Sequence, residues 1–557
     1  MLSPDKILTE VSARSTRQVV ERPAGFDAIV IGAGASGGMA ARLLCEAGLE
    51  VLVLDAGWRP PFLTQPIRQA TAASIARLAD PRALRFLPPR IIYKGRQVLK
   101  ALGKRRQPVQ SICYAWERDP AAFVDDLENP YETAEGCEYA WLRTRKAGGR
   151  VFVPGHGRQY YRFSEHEFAP RDGLSPAWPF APNELAPWYD RAEAILGLSG
   201  STENIADVPD SLIANDLKPT EAEAEVAGKI QARWPDAPVI AGRYATPPNH
   251  IEAAAATGNL FARRGAVVRE VLTADTGEAT GVAWHDRASG ERLEAHAPIV
   301  FCCASPMESA RILMLSQSAL SPEGIGARSG MLGRNLMDHV LVKVEGIGPR
   351  LPGTPYAPPD GRCSFLPRFD RAIDPGKWGE RGFGIQLYRT PGDGDRSWFT
   401  AVAFGEMLPD PKNHVRLHPT RKDAWGIPSL VIDARLSARD NAMAGAMGEA
   451  LNSLAGLCEA KLTLTPDGPA VPGTSAHECG TARMAARPED GVLDAFNQCW
   501  DVPGLYVTDA SSFPSQGFQN PTLTVMALTA RACDHAIKKK GGQLAPTAPD
   551  TSLAENA

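Results

Sequence analysis

Short apolar runs on either side of a glycine-rich turn dominate the N-terminal part of the chain. The run Ala28 to Ile31 is followed by the turn G-A-G-A-S-G, a helical pattern over about Ser36 to Ala47, and a second apolar run from Val51 to Leu54. Uninterrupted apolar runs of this length are typical of buried strands. The pattern therefore predicts a β-α-β unit.

Alternation of apolar and polar positions appears further along, at 340–345, 383–388 and 399–404. This period of two is typical of an antiparallel sheet with one solvated or ligand-facing side. Apolar strands also recur at 266–271 and 299–303, and L-Y-V-T-D followed by T-L-T-V-M-A-L-T-A-R-A near the C-terminus indicates a return to the first domain. The predicted fold class is α/β, with a Rossmann-like domain and a second domain on an antiparallel sheet.

The glycine turn has the spacing of a dinucleotide-binding site. Gly32 permits the tight turn, Gly34 allows backbone to approach a pyrophosphate, and Gly37 allows the helix to pack on the strand. The first helical residues, Ala35 and Ser36, would offer N–H groups to phosphate. Asp55, with Ala56 after it, ends the second strand where a carboxylate can bind ribose hydroxyls. Two questions stay open at this point. The glycines could form a turn that binds no ligand, and the spacing does not distinguish NAD from FAD as the dinucleotide.

Composition limits the function classes. The chain has 557 residues, enough for two or more cores, and its 60 basic and 64 acidic residues leave a net charge of −4. Such a balance gives no broad field to attract nucleic acid or anionic membranes. No apolar run is long enough to span a bilayer, so we expect no membrane insertion and a cytoplasmic enzyme. The ten cysteines show no zinc spacing, so we expect reduced thiols and no metal site.

Two C-terminal segments carry the candidate chemistry. S-A-H-E-C-G-T-A-R-M begins at Ser475, and N-P-T-L-T begins at Asn520. Together with the G-G at 148–149, A-S-P-M-E-S-A-R from Ala304 and G-R-N-L-M-D-H from Gly333, the chain resembles the glucose-methanol-choline (GMC) oxidoreductases over about residues 26 to 538. The motif sequences are most similar to those of the bacterial sugar- and glycoside-oxidising branch, which includes glycoside 3-dehydrogenases and pyranose oxidase relatives.

The resemblance implies an FAD-dependent alcohol oxidoreductase and assigns its site residues. His477 would be the active-site base and Asn520 its partner. An unperturbed imidazole accepts a proton near neutral pH, an amide can donate to an oxygen that becomes alkoxide-like, and flavin accepts the hydride. The remaining residues implied to contact FAD are Gly149, Val268, Asp509, Ala510, Pro521 and Thr522.

Structural roles are the alternatives for these polar residues. His477 could be a hydrogen-bonded structural histidine, and Asn520 could be the turn residue that often precedes proline. We interpret His339, His414 and His535 as local hydrogen-bonding or surface residues. Cys479 is interpreted as an apolar filler.

Departures from the family pattern refine the expectation. Val153 stands where some relatives carry the histidine that links covalently to flavin, so we expect non-covalent FAD. Pro154 replaces a tryptophan, and His156 becomes a lesser candidate for contacting flavin or substrate. Asp55 replaces the commoner glutamate, and Ala485 replaces the glycine after R-M.

The predicted layout divides both domains along the chain. It places the FAD-binding domain at 25–75, 251–339 and 476–540, an excursion or lid region at 76–145, a flavin-contacting segment at 146–155, a covering layer of the substrate domain at 156–250, the substrate domain at 340–475 and a disordered tail at 541–557.

The predicted substrate is a saccharide or glycoside secondary alcohol. A non-sugar natural-product alcohol is the alternative, and hydroxynitrile lyases show that the fold can also hold FAD without net redox chemistry. The electron acceptor, oxygen or a quinone or redox partner, is left open by the sequence.

Overall fold

The structure is a computed structural model that describes residues 3–20, 25–57, 101, 105–154, 158–353, 361–392, 394–465 and 468–545. Its helices are α1 (Pro4–Val20), α2 (Ala35–Glu46), α3 (Glu165–Phe168), α4 (Ala186–Leu196), α5 (Glu221–Arg233), α6 (His250–Ala256), α7 (Pro306–Leu315), α8 (Phe369–Ile373), α9 (Ala438–Leu457) and α10 (Thr522–Lys539). Its strands are β1 (Ala28–Ile31), β2 (Val51–Asp55), β3 (Glu132–Thr133), β4 (Leu198–Gly200), β5 (Ile213–Asp216), β6 (Ile240–Ala241), β7 (Leu260–Arg264), β8 (Ala266–Thr273), β9 (Ala279–Asp286), β10 (Arg292–His296), β11 (Val300–Cys302), β12 (Val340–Pro349), β13 (Ser364–Leu366), β14 (Phe383–Pro391), β15 (Arg396–Gly405), β16 (His414–Lys422), β17 (Pro428–Asp433), β18 (Lys461–Leu464) and β19 (Leu505–Val507).

A five-stranded parallel sheet in the order β19-β11-β1-β2-β7 forms the first layer of the molecule. The apolar runs of β1 and β2 are fully buried, as predicted for strands covered on both faces. The C-terminal strand β19 pairs with β11, and α10 packs on α2. The predicted β-α-β unit and the C-terminal return to this sheet are therefore confirmed.

Helix α1 lies in a polar N-terminal region for which the sequence patterns predict no element. In α1, Ile7 and Leu8 are buried against the edge strand β7. The Asp5 carboxylate forms an ion pair of 2.8 Å with Arg264 at the end of that strand, and the Arg264 N–H donates to Ser12. Too few apolar positions mark this helix for a periodicity to be visible, yet they suffice to cover an exposed sheet edge.

The second layer is a six-stranded sheet in the order β18-β12-β15-β14-β13-β6. Strands β12, β14 and β15 pair antiparallel along nearly their whole length, which confirms the predicted alternation. One face, including Val342, Phe399 and Ile385, joins a core with α9. The opposite face carries the alternate residues, among them Gln386 and Phe404.

Three smaller sheets complete the described fold. Strands β8, β9 and β10 form an antiparallel meander, a second sheet has the order β16-β17-β3, and β4 pairs with β5. Part of the predicted lid region at 76–145 and most of the predicted tail at 541–557 lie outside the described residues. Among the helices that are described, none is long and apolar enough to cross a membrane. The domain boundaries stay a prediction.

Candidate active site

One cleft runs along the C-terminal ends of the parallel strands, where ligands bind in open α/β sheets. Every predicted cofactor residue except Gly37 lines it, and so do His477 and Asn520. The lining cofactor positions are Gly32, Gly34, Ala35, Ser36, Asp55, Ala56, Gly149, Val268, Asp509, Ala510, Pro521 and Thr522. The structure therefore brings the N-terminal and C-terminal candidates into a single site.

The glycines of the turn have three different physical reasons. Gly32 has a φ of +92°, and an added Cβ would lie 2.6 Å from the Cys303 carbonyl oxygen. A Cβ on Gly37 would lie 1.9 Å from the Gly32 oxygen, so this glycine serves helix packing and does not reach the cleft. Gly34 has open space on its side of the cleft, with only the Gly149 Cα at 4.0 Å. The protein itself therefore leaves room for a side chain here, and a side chain would occupy part of the cleft.

Gly149 faces Gly34 from the opposite loop. It has a φ of +69°, and a Cβ there would lie 3.0 Å from the Gly34 Cα. Two backbone segments thus approach each other with no side chain between them, beside the N-terminal turn of α2, whose first N–H groups have no partner within the helix. This backbone cradle fits the pyrophosphate of a dinucleotide.

Buried carboxylates shape the loops on either side of the cradle. Asp55 accepts hydrogen bonds from the N–H of Ala33 at 3.0 Å and of Gly57 at 2.8 Å, and burial raises its pKa. Asp509 accepts from the hydroxyl of Ser309 at 2.5 Å and from Ser511. Both acids therefore organise the backbone around the site, in addition to any contact with a ribose or phosphate.

Arg145 is a cleft residue that the sequence analysis did not single out. Its Nη1 is buried and has no hydrogen-bond partner among the described residues, and burial lowers its pKa to about 10. A cation in this setting fits a bound anion. The available sequence signal was the basic run R-T-R-K just before the two glycines at 148–149.

Asp338 fixes the backbone that carries His477. Its carboxylate accepts from the N–H of His477 at 3.0 Å, from the N–H of Gly473 at 2.6 Å and from the hydroxyl of Ser475. The residue before the histidine, Ala476, has a φ of +59°, which is unfavourable for a side chain with a Cβ. The carboxylate thus helps to hold a tight turn in which His477 projects into the cleft.

Arg150 supports the same turn from the loop of the two glycines. Its guanidinium donates to the Ala476 carbonyl at 2.9 Å and pairs with Glu478 at 2.8 Å. Since Glu478 directly follows His477, the cradle loop and the turn of the candidate base are fixed to one another.

His339 lies directly behind His477 and determines its tautomer. The Gly517 carbonyl can only accept, and it lies 2.6 Å from Nε2 of His339, so that nitrogen carries the hydrogen. Burial lowers the pKa of His339 to about 4, so the ring is neutral and its Nδ1 accepts. Nδ1 of His477, 2.7 Å away, must donate to it. The other ring nitrogen of neutral His477, Nε2, therefore bears the lone pair.

Asn520 reaches the same nitrogen from the start of α10. Its Nδ2 lies 3.3 Å from Nε2 of His477, and the Phe404 ring packs against the imidazole at 5.6 Å between centroids. A proton acceptor and an N–H donor thus lie side by side, lining a cleft that also holds the dinucleotide cradle.

Comparison with known proteins agrees with this geometry. Residues 409–529 match the family model of the GMC oxidoreductases, and residues 30–70 match that of an NAD(P)-binding Rossmann-like domain. The first match contains both His477 and Asn520. This segment of the chain is similar to the GMC oxidoreductases.

Relatives cover nearly the whole enzyme. It is 27% identical to 2-methyl-1,2-propanediol dehydrogenase of Mycolicibacterium austroafricanum over 92% of this chain and 95% of that one. It is 26% identical to paromamine 6'-oxidase of Streptomyces fradiae, over 91% and 90%, and 24% identical to C-glycoside 3-oxidase of Arthrobacter globiformis, over 91% and 94%. The crystal structure of pyridoxine 4-oxidase from Mesorbium loti has the same fold, with a TM-score of 0.58, 19% identity and coverage of 91% and 98%.

The chain is a flavin-dependent alcohol oxidoreductase, in agreement with the dehydrogenases and oxidases among its relatives. The residues present fit such a cofactor. The backbone cradle at Gly34 and Gly149 has room for a pyrophosphate, and the buried cation of Arg145 has a nitrogen without a partner among the described residues.

The interpretations of the histidines need one correction. His414 is half-buried and bonds the carbonyl of Lys412, and His535 stacks on Phe496, as expected of local roles. His339 is local in neither sense, because it is buried and its partners lie far away in sequence. His156 lies outside the described residues.

Proposed function

We propose that this enzyme binds FAD without a covalent link and oxidises a saccharide or glycoside hydroxyl, with His477 as the general base. The observation that carries the proposal is the Nε2 lone pair of His477 beside the N–H group of Asn520, lining the same cleft as the dinucleotide cradle. One site thus offers an acceptor for the hydroxyl proton and a donor for the oxygen that loses it.

A flavin held by the cradle of Gly34 and Gly149 would supply the acceptor for the hydride that the carbinol carbon loses. The substrate hydroxyl donates to Nε2 of His477, which takes the proton as the carbonyl forms. Asn520 donates its N–H to the same oxygen while negative charge develops there. His339 accepts the Nδ1 hydrogen of His477 throughout, which favours the charged imidazolium after proton transfer. The alcohol thereby loses one proton and one hydride, and a carbonyl results.

We expect FAD to bind without a covalent bond because of the residue at position 153, Val153. Its side chain has no nucleophilic atom, and it is fully buried in a cluster with Trp116 and Phe123. We expect acid or heat precipitation to release FAD into the supernatant, measured by its absorbance and by chromatography against an FAD standard. Flavin colour that stays with the precipitated protein would contradict this expectation.

Two kinds of support favour a sugar-type substrate: the motif wording, and relatives whose names include paromamine 6'-oxidase and C-glycoside 3-oxidase. A non-sugar alcohol is the second candidate, because 2-methyl-1,2-propanediol dehydrogenase is a relative over almost the whole chain.

An anaerobic reduction screen tests the proposed function. Purified enzyme is mixed with monosaccharides, glycosides and simple diols, and the fall of flavin absorbance is followed. We expect bleaching with saccharides or glycosides and little with diols. Reoxidation of the bleached enzyme by oxygen or by a quinone then identifies the acceptor. Bleaching by diols alone would favour the second candidate, and turnover of a substrate without any bleaching would indicate lyase chemistry.

Replacement of His339 tests the tautomer argument. His339→Leu removes the acceptor for the Nδ1 hydrogen of His477, so we expect flavin reduction to slow by about tenfold or more. His339→Asn can place an amide oxygen near the former Nδ1 and should restore part of the rate. Stopped-flow reduction at saturating substrate measures both.

The parental pH profile provides the control for this test. Because the pKa of His339 is lowered to about 4, this ring stays neutral above that pH and should not itself appear in the profile of reduction between pH 5 and 9. Equal rates in the Leu variant and the parent would refute the positioning role of His339.

A further inference from the structure

We propose that Gln386 is a positioning residue that fixes the side-chain amide of Asn520 with its N–H group toward His477 and the substrate, and that Tyr388 fixes Gln386 in turn. This inference rests on the proposed function, since it concerns how the donor of that site is oriented.

The geometry places Gln386 on the site-facing side of the six-stranded sheet. Its neighbours in β14, Ile385 and Leu387, are buried in the core with α9, so Gln386 projects from the opposite face. Its side chain is only 4% exposed. Nε2 of Gln386 lies 2.7 Å from Oδ1 of Asn520, and the Tyr388 hydroxyl lies 3.0 Å from Oε1 of Gln386.

Tyr388 can act as the donor at the outer end of this row of hydrogen bonds. Burial raises the pKa of its phenol well above 10, so the hydroxyl stays protonated and can donate to Oε1 of Gln386. That contact leaves Nε2 of Gln386 to donate to Oδ1 of Asn520. The Asn520 amide then has its nitrogen toward Nε2 of His477.

These hydrogen bonds join the series that starts at the Gly517 carbonyl. From that end, His339 donates to Gly517 and His477 donates to His339, which leaves Nε2 of His477 as an acceptor. From the other end, Asn520 arrives as a donor. The two series of hydrogen bonds meet where Nδ2 of Asn520 donates to Nε2 of His477. Every donor from Tyr388 to Gly517 therefore faces an acceptor.

Gln386 matters because a primary amide can rotate and exchange its oxygen with its nitrogen. A rotated Asn520 would face the forming alkoxide with Oδ1, and two acceptors would repel where a donor is needed. With Gln386 in place, that rotation would also bring two N–H groups together, so the reversed state is disfavoured. The loss of one such donor typically slows chemistry about a hundredfold to a thousandfold.

Gln386→Glu reverses this contact, because a carboxylate can only accept. Asn520 must then turn its N–H toward residue 386 and its oxygen toward the substrate. We expect flavin reduction at saturating substrate to be about a hundredfold slower at high pH, with FAD content unchanged. Protonation of the introduced acid restores a donor, so the ratio of parental to variant rate should shrink as pH falls.

Two further variants complete the test. Thr390→Glu adds an acid to the same face of β14 without touching Asn520, and it should reduce at the parental rate. Tyr388→Phe removes the donor to Gln386 and should slow reduction several-fold, which keeps the proposal testable if Gln386→Glu fails to fold. A parental rate in Tyr388→Phe, or a loss in Gln386→Glu that does not change with pH, would overturn the proposal.

The outcomes separate this inference from the proposed function. If His477→Ala reduces its flavin at the parental rate, the base assignment fails, whatever Gln386 does. If His477→Ala is slow and Gln386→Glu is not, the base stands and only the orienting role of Gln386 is lost.

Discussion

His477→Ala should keep its FAD and reduce it about a hundred to ten thousand times more slowly than the parent. Positioned general-base catalysis typically contributes this much, and the structure leaves Nε2 of His477 as a lone-pair nitrogen that faces the cleft. Stopped-flow absorbance at saturating substrate, without oxygen, measures the step directly. The matched control is His414→Ala, since the ring of that histidine bonds the carbonyl of Lys412, two positions away in the sequence.

The same experiment extends to Asn520. Asn520→Ala should slow reduction by about a hundredfold or more through loss of one donor. The double variant should lose less than the product of the two single losses, because residues that serve one transition state act as a unit. A His477→Ala enzyme that reduces at the parental rate would place the base elsewhere, and His156 would be the next residue to test.

Gly34→Val should bind FAD poorly while the rest of the protein folds. An added Cβ at this position meets only the Gly149 Cα, at 4.0 Å, so the protein itself tolerates the side chain better than at Gly32 or Gly37. The branched carbons would instead occupy the space between the two loops. If steric overlap between the valine side chain and FAD costs about 1–3 kcal/mol, FAD binding would be weakened about fivefold to more than a hundredfold. The flavin-to-protein absorbance ratio after gel filtration reports it.

A matched glycine gives the control for this substitution. Gly445 lies on the exposed side of α9 with nothing within 4 Å of an added Cβ, so Gly445→Val should retain its flavin. Thermal unfolding of both apoproteins separates loss of FAD from loss of fold. Normal flavin content in Gly34→Val would remove the cradle from the assignment.

Local patterns were enough to predict the two layers of the fold. The β-α-β unit is contiguous, and the period of two in β12, β14 and β15 follows directly from strand geometry. The glycine turn and the two C-terminal segments are likewise contiguous motifs, so their site residues can be identified without knowledge of distant contacts. These are the parts that one stretch of sequence decides by itself.

The features that were missed depend on contacts between distant segments. His339 meets His477 across 138 positions, and its sequence context gives no sign that its partner is another histidine. Arg145 faces the cleft because its segment folds back beside Gly57. Helix α1 covers the edge of β7, more than 240 residues later. Such pairings are properties of the folded chain and cannot be seen in the periodicity of either partner.

The chain of hydrogen bonds around His477 also bears on how relatives diverge. The segment by which the family is recognised, 409–529, carries the base and its partner, whereas Asp338, His339 and Gln386 all precede it. Two enzymes can therefore share the whole recognised segment and still differ in how their histidine is protonated and how their asparagine is turned. Transfer of an activity from one relative to another should compare these three outlying positions first, because drift at any of them would change the chemistry while the signature stayed intact.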